Sequence, residues 1–516
     1  MISKILIPLL LSTLIYSQQQ VDILWPTLAN SPWPMVKHDP QFTGRSPYKG
    51  PQSATIWWER DMEYGIFSGP VIGEDRNLYF GSYYIHTDIF YSYSGDGDLK
   101  WVYETGSNRP PQSGILIDSS NTIYFGSRDS CIYALNPDGT FKWKYKTSGF
   151  IVQEVIPNID LAGNIYITNF IFDPAEPDRG ELYCIKPNGT LNWKVMYDNG
   201  FAFKSPVFSP DGNTIYIAGV DSNLFALNLD GSIKWKFSCG NILRAPMIDS
   251  NGNIYFISKE IPQYLYSLMP DGNVRWQYFI QNIGFLDLYS IPTIDTKGNL
   301  YAIALDTTCC DYYPMLISLD YDGVLRWKYI FQDYETDDFR QPLICDSEGT
   351  VYVGSTNGYS YYAISSSGEL IWRLPLIKIL QQVDNTGAIA PDGTLYLGVH
   401  NISLLQSQIK TLIAIRDTVT SVEYNDSRVL SYALEQNYPN PFNSSTNIKY
   451  SIPQSGKVTI KVYDLMGREV TTLLDRYQES GSYDVIFQSD DLSSGIYFYK
   501  LEAGNFIATK KLIFLK

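Results

Sequence analysis

Along most of this chain, short runs of alternating apolar and polar residues are separated by turn residues. The stretch from Cys131 to Tyr145, CIYALNPDGTFKWKY, shows the pattern: two strand-like runs flank an Asp-Gly pair, which predicts a tight β-hairpin. Within it, Trp143 follows Gly139 by four residues and Tyr133 precedes it by six. Seven turns repeat the Gly–Trp spacing: Gly97/Trp101, Gly139/Trp143, Gly189/Trp193, Gly231/Trp235, Gly272/Trp276, Gly323/Trp327 and Gly368/Trp372. Six residues before each glycine stands Tyr91, Tyr133, Tyr183, Phe225, Tyr266, Ile317 or Tyr362. A second signature, a polar turn followed by Ile/Leu/Val-Tyr, interleaves with the first. It occurs eight times, at Tyr79, Tyr124, Tyr166, Tyr216, Tyr255, Tyr301, Tyr352 and Tyr396, with spacings of 39 to 51 residues.

Each unit therefore holds four short strands, A to D, with the tyrosine on B and the tryptophan on D. Four antiparallel strands per unit of forty-odd residues is the pattern of a β-propeller blade, which must stack on neighbours to bury its faces. The tryptophans are expected to fill the space between adjacent blades. Eight tyrosines against seven Gly–Trp turns leave the last unit, through Leu412–Ile415, without a strand D. Ala54-Thr-Ile-Trp57-Trp58, which precedes the first strand A, is expected to supply it. The fold class is thus all-β: an eight-bladed β-propeller closed by an N-terminal strand, over residues 51–417.

The units resemble the PQQ-like, quinoprotein-type propeller repeats, as in the Tyr133–Trp143 stretch. The leader Trp33-Pro-Met-Val-Lys-His-Asp-Pro-Gln-Phe-Thr-Gly-Arg45, within residues 18–50, also resembles one common in that family. The likeness covers about residues 31 to 417 and implies the fold. It implies little about activity, because that family includes dehydrogenases, assembly scaffolds and binding proteins.

In a four-stranded blade the A–B and C–D turns share one face, and here they are short Asp/Asn-Gly turns. The B–C and D–A loops share the other. Extra length enters B–C at Tyr83–Phe90, Asn169–Gly180 and Asp306–Pro314, and variable loops on a repeated scaffold are where specificity usually sits. The D–A connections, expected near a central channel, carry Arg109, Glu154, Lys204, Arg244, Asp338 and Arg340, with Phe67, Phe150, Phe203 and Tyr289. Arg109, Lys204, Arg244 and Arg340 are the residues best placed for an anion-binding mouth; ordinary surface ion pairs are the alternative.

Among the six cysteines, Cys131 and Cys184 sit in apolar strand contexts and read as small core residues. Cys309-Cys310-Asp311 resembles the vicinal disulfide that PQQ-dependent alcohol dehydrogenases hold against their cofactor. No matching Ca²⁺-binding Glu/Asn pair, catalytic Asp or Cys-x-x-Cys-His motif can be placed beside it, so a loop-stiffening vicinal disulfide or free thiols stand as alternatives. The three histidines, His38, His86 and His400, form no ligand spacing. No Gly-x-Ser-x-Gly elbow or P-loop occurs. Turns such as Asp320-Tyr-Asp322-Gly323 lack the further oxygen ligands of an EF-hand.

After a polar linker, 418–433, alternation with period two returns over residues 434–516 and predicts a small Ig-like β-sandwich. Tyr438-Pro439-Asn440-Pro441-Phe442, Val462-Tyr-Asp-Leu-Met-Gly467 and Ser494-Gly495-Ile-Tyr497 closely resemble the C-terminal sorting domain of type IX secretion substrates. At the other end, Lys4, an apolar run and Ser17 read as a signal peptide over residues 1–17. No later segment is long and apolar enough for a transmembrane anchor in the mature chain. The sorting resemblance implies passage through the periplasm, recognition by outer-membrane type IX machinery, and a secreted or outer-surface location in a Gram-negative bacterium of the Bacteroidetes type. With 39 basic and 54 acidic residues the net charge is −15, which disfavours nucleic acid as a partner. The resulting expectation is a non-catalytic binding scaffold for an unknown protein or glycan, without a cofactor. One alternative is a quinoprotein-like oxidoreductase holding PQQ with Ca²⁺. Another is a carbohydrate-active propeller.

Overall fold

The computed structural model describes residues 19–514 apart from short stretches, the longest being 83–88, 282–289, 307–312, 332–338, 402–410 and 418–431. The signal segment 1–17 lies outside the described residues. The chain divides into two compact units, Met1–Thr418 and Val419–Lys516. All regular structure in the described residues is β-strand.

The first unit is a β-propeller, and its described strands form eight antiparallel sheets. Sheet 1 runs Ile66–Ile72, Leu78–Ser82, Ile89–Tyr93, Leu99–Glu104, each strand paired with the next. Sheets 2 to 7 repeat that order, beginning at Ile115, Asn158, Val207, Met247, Thr293 and Ile344. Sheet 8 joins Ala388–Ile389, Leu395–Asn401 and Thr411–Ile415 to the early strand Ile56–Asp61, which pairs antiparallel with Thr411–Ile415. The borrowed strand thus supplies the D position of the last sheet.

The two sequence signatures become two kinds of contact. The B-strand tyrosines are buried, and most donate their hydroxyl to the aspartate that makes the A–B turn. Tyr124 donates to Asp118 Oδ2 at 2.7 Å, and Tyr166, Tyr255 and Tyr301 repeat this at 2.9–3.0 Å with Asp160, Asp249 and Asp295. The other carboxylate oxygen takes backbone N–H groups two and four residues on, as Asp118 does from Ser120 and Thr122. Burial first, then the adjacent carboxylate, pushes the hydroxyls of Tyr124 and Tyr301 far up, so they stay donors.

The D-strand tryptophans were expected to be filling between blades. Most are in fact only half-buried, because each lies at the rim of its sheet with its indole aimed at the next C–D turn. Trp101, Trp143, Trp193, Trp235, Trp276 and Trp327 donate Nε1–H to the carbonyls of Pro137, Pro187, Leu229, Pro270, Tyr321 and Ser366, at 2.9–3.2 Å. Trp372 donates to Pro51 at 2.8 Å, and Trp58 of the borrowed strand to Gly95 of sheet 1 at 3.0 Å. Each of the eight rings also packs on its own sheet's tyrosine, centroid to centroid 5.7–5.9 Å. Trp58 is therefore the eighth tryptophan of the series.

The turn glycine serves two needs. It sits at φ between +83° and +89° from Gly97 to Gly368, and a Cβ there would lie 2.5–3.1 Å from the arriving indole. Just before each tryptophan the D strand carries a β-bulge, which drops one residue out of the ladder: Lys100, Lys142, Asn192, Lys234, Arg275, Arg326, Ile371 and, in sheet 8, Trp57.

In the second unit one sheet joins Ala433–Leu434, Ser445–Ile452 and Gly481–Gln488. The other orders Glu469–Gln478, Gly456–Tyr463, Gly495–Ala503 and Phe506–Phe514. Both contribute to one core, with Ile448 and Ile452 from the first and Val458, Ile460, Tyr499, Leu501 and Leu512 from the second. The motif residues have structural work here. Asn440 Oδ1 accepts the N–H of Ile513 at 2.8 Å, Phe442 enters the core beside Phe514, and Gly467 takes φ +76° in a hairpin turn. Gly495 opens a strand, Pro441 is exposed between Asn440 and buried Phe442, and Tyr438 and Pro439 lie outside the described residues.

Two glycine substitutions separate the two demands of the turns. Gly106 has φ +71° with nothing near its would-be Cβ, whereas at Gly139 the Cβ would lie 2.6 Å from Trp101. Gly106→Ala should cost about 1–2 kcal/mol from backbone strain alone. Gly139→Ala should cost clearly more, because the indole must also move. Guanidinium midpoints of the two variants check the ordering, and equal losses would contradict the stacking account.

Candidate functional site

The innermost edge of each sheet is its first strand, opposite the rim where the tryptophans lie. Those first strands are short, two residues in most sheets, and fully buried. Their inner edges bond to the leader. Ile72 N–H donates to the carbonyl of Trp33, Ile117 to Pro34, Phe208 to Pro40, Ile248 to Gln41 and Cys345 to Gly44. Asn158 Nδ2 reaches the Pro40 carbonyl at 2.9 Å, and Thr293 Oγ1 the Thr43 carbonyl at 2.6 Å. A segment that bonds in turn to the first strands of seven sheets lies along the line they surround. Trp33, Met35, Val36, Lys37, Phe42, Thr43, Arg45 and Ser46 are all buried there.

The leader carries its own polar scaffold. Asp39 Oδ1 caps the N–H groups of Gln41 and Thr43, and its other oxygen accepts the Thr43 hydroxyl and faces His38. Burial opposes ionisation of Asp39, but the bonds from His38 and Thr43 outweigh it and hold the carboxyl below its usual range. Arg45 donates through Nε and Nη2 to Asp22 Oδ1 at 3.2 and 2.8 Å. Lys37 is wholly buried, and its Nζ donates to the carbonyls of Pro292 at 3.0 Å and Leu343 at 2.7 Å, just ahead of the first strands of sheets 6 and 7. Burial pushes this amine down to about 7. The neutral amine has two N–H groups, and these two carbonyls use both.

The loop face holds the residues read as an anion-binding mouth. Lys204 is buried and its Nζ donates to the Ile242 carbonyl, which brings its loop to within two residues of half-buried Arg244. Arg109 is exposed, and its carbonyl accepts the hydroxyls of Ser107 and Ser127. Arg340, Glu154, Phe203, Tyr289 and Asp338 lie outside the described residues, as do Cys309 and Cys310 and most of the Tyr83–Phe90 and Asp306–Pro314 insertions. On the same face, between sheets 4 and 5, a cavity of about 460 Å³ is lined by Ser222, Ser238, Cys239, Ser258 and Tyr264. Among the described residues, no three His, Cys, Asp or Glu side chains converge as metal ligands.

The axial role of the leader was not legible from its sequence. Residues 33–45 have no strand period and contain Pro34 and Pro40, so nothing in them marks a pairing segment. Its mixture of apolar residues with Lys37, His38, Asp39, Gln41, Thr43 and Arg45 reads as an ordinary surface loop, so its burial carried no sequence signal.

Residues 178–416 match the family described as outer membrane protein assembly factor BamB, of PQQ-like repeats, and residues 436–515 match the secretion system C-terminal sorting domain. A stretch of 48 residues is 42% identical to the uncharacterized protein YxaL of Bacillus subtilis (strain 168), covering 9% of this chain and 12% of that one. The matched stretch is thus a small part of that relative. The crystal structure of BamB from Moraxella catarrhalis aligns over 72% of this chain and 99% of its own, with 14% identity and a TM-score of 0.48. The C-terminal WD40 domain of Sif2 aligns over the same shares with 10% identity and a TM-score of 0.52, a likeness of fold alone.

The first unit is a β-propeller, and residues 178–416 within it match PQQ-like, BamB-type repeats. The chain as a whole is a propeller protein with a type IX C-terminal sorting domain, exported to the cell surface or beyond it in bacteria of the Bacteroidetes type, and that tail engages the secretion machinery. Among the described residues no helix is long and apolar enough to cross a membrane.

Lys37 gives a pH signature. Its folded-state value, about 7, lies below its ordinary 10.5, so the unfolded chain holds the extra proton between those limits. Stability should therefore rise with pH from about 7 towards 10 on account of this group. In Lys37→Met that increment should vanish, and the difference between the two unfolding profiles over that window measures it. Parallel profiles would show that the amine is not buried as described.

Proposed function

We propose that the protein is a non-catalytic binding scaffold: an eight-bladed propeller that presents its faces to a protein or glycan outside the cell, carried there by an Ig-like sorting sandwich. The observation that carries this reading is the leader on the axis. Where a quinoprotein would place its cofactor, the first strands surround Trp33, Phe42 and Lys37, bonded to the sheets themselves. The leader's place on the axis is the argument against PQQ there. Recognition then belongs to the outer faces, whose loops differ in length from sheet to sheet. On the loop face, Arg109 and Arg244 are proposed as the rim for an anionic group, with Lys204, whose amine is bonded to the Ile242 carbonyl, as framework.

Eight blades are supported by the eight paired sheets and by the borrowed strand whose Trp58 docks on sheet 1. The sandwich reading rests on two sheets sharing one core.

PQQ with Ca²⁺ added to the purified protein should leave its melting temperature unchanged. A rise with concentration, as mass action requires of any ligand of the folded state, would replace the scaffold reading with the oxidoreductase one. Removal of residues 434–516 should hold the propeller in the periplasm. Fractionation showing undiminished export would mean that the tail is not the sorting signal.

A further inference from the structure

The bulge in each D strand turns one side chain into the gap beside its sheet on the turn face. In sheets 2, 4, 5 and 6 that residue is a cation with its bonds made. Lys142 and Lys234 donate to Thr122 and Thr214 at 2.7 Å, and Arg275 and Arg326 to Ser267 and Ser318 at 3.0 and 2.8 Å. In sheet 8 it is Trp57. The residue is 39% exposed, and the Arg416 guanidinium packs on its ring at 4.1 Å from the centroid while pairing with Asp392 at 3.6 Å.

Trp57 lines a cavity of about 340 Å³ where the last sheet meets the first. On the sheet 1 side, Asn77 stands where Thr122 and Thr214 stand, and gives its amide to Asp75 at 2.6 Å, as Asn164, Asn253 and Asn299 do to their own turn aspartates. The ammonium of Lys100, the bulged residue of sheet 1, lines the cavity without a hydrogen-bond partner among the described residues. The Asp96 carboxylate and the Arg76 guanidinium line it in the same state. The closure seam therefore gathers around one concavity an exposed aromatic ring with Arg416 stacked on it and, among the described residues, one carboxylate and two cations without hydrogen-bond partners.

We propose that this seam is a saccharide-binding site that takes a hydroxyl-rich pyranose of a neutral glycan. A pyranose offers C–H groups to an aromatic face and hydroxyls that both donate and accept. Asp96 can only accept, and Lys100 and Arg76 can only donate, so together they match a pair of neighbouring hydroxyls. Charges of both signs around the ring leave no net preference for a charged ligand. Few, well-placed polar groups beside an aromatic wall are the usual furnishing of a small-molecule cleft. The proposal rests on the scaffold reading and gives it a ligand class.

The test is calorimetric titration of the full secreted protein with five hexasaccharides: laminarihexaose, cellohexaose, xylohexaose, mannohexaose and chitohexaose. At least one should bind. Asp96→Asn and Lys100→Met should each weaken that binding tenfold or more without lowering the melting temperature, and Trp57→Ala should abolish it. Lys142→Met, the same position one sheet on, should leave it unchanged. Absence of binding by all five overturns the proposal. So does binding that survives Asp96→Asn and Lys100→Met, although that second outcome leaves a glycan-binding scaffold standing with its site elsewhere. A stabilising response to PQQ, by contrast, would remove the scaffold reading itself.

Discussion

Seven of the eight indoles in the fourth strands take two things from the neighbouring sheet: a backbone carbonyl to receive the N–H and a bare α-carbon beneath the ring. Both come from one turn, and the rest of the architecture answers to that pairing. It fixes the four-residue interval between glycine and tryptophan, because the same turn that receives one indole must launch the strand that carries the next. It also makes every sheet dependent on a neighbour, so stability is shared around the series rather than held by any single unit. The chain must then satisfy its two loose ends. Trp372 finds the carbonyl of Pro51 and Trp58 that of Gly95, so the residues flanking the borrowed strand act as turn and as strand of the same sheet.

The first strands are the complement of that arrangement. At two residues apiece in most sheets, they could not hold an edge in water, and an exposed row of backbone groups at the centre would invite mispairing. The leader meets those edges. It works through irregular backbone and a few long polar side chains rather than as a strand, since one segment must face seven differently directed edges. Lys37 shows the logic: a flexible stem carries an amine to two carbonyls from neighbouring sheets, and burial drives that amine towards its neutral form.

These features differ in how far the sequence announces them. The glycine, tryptophan and tyrosine positions repeat because local turn chemistry repeats, so strands, turns and the missing strand D were readable from spacing alone. That Trp58 rather than Trp57 plays the docking role was not, because adjacent tryptophans look alike until the bulge assigns one to the ladder and one to the gap. The half-burial of the other tryptophans was hidden for a related reason. Periodicity says which face a side chain occupies, but not whether the contact is made by its flat face or by its N–H. The axial leader was least legible, since its partners lie up to 306 residues away and follow no period. Reading basic residues in the D–A loops as a mouth also passed over how a lysine such as Lys204 can be consumed by a loop carbonyl.

A repeated fold has a particular difficulty in acquiring a specific site. Whatever chemistry one unit displays on its regular turns, the others display too, and a feature present many times over distinguishes nothing. Distinctness must come from where repetition fails. In this protein it fails in the unequal loops and at the seam, where a strand from the other end of the chain replaces the expected one. The seam has the stiffer frame of the two, because the docking bond of Trp58, the bulge at Trp57 and the pairing of Ile56–Asp61 with Thr411–Ile415 all converge on it. A segment whose backbone is fixed in this way loses little further entropy when a ligand arrives, and pre-organisation of that kind favours recognition over mere exposure. The strand that closes the propeller also places its most unusual side chain, and closure and binding thereby become consequences of one segment.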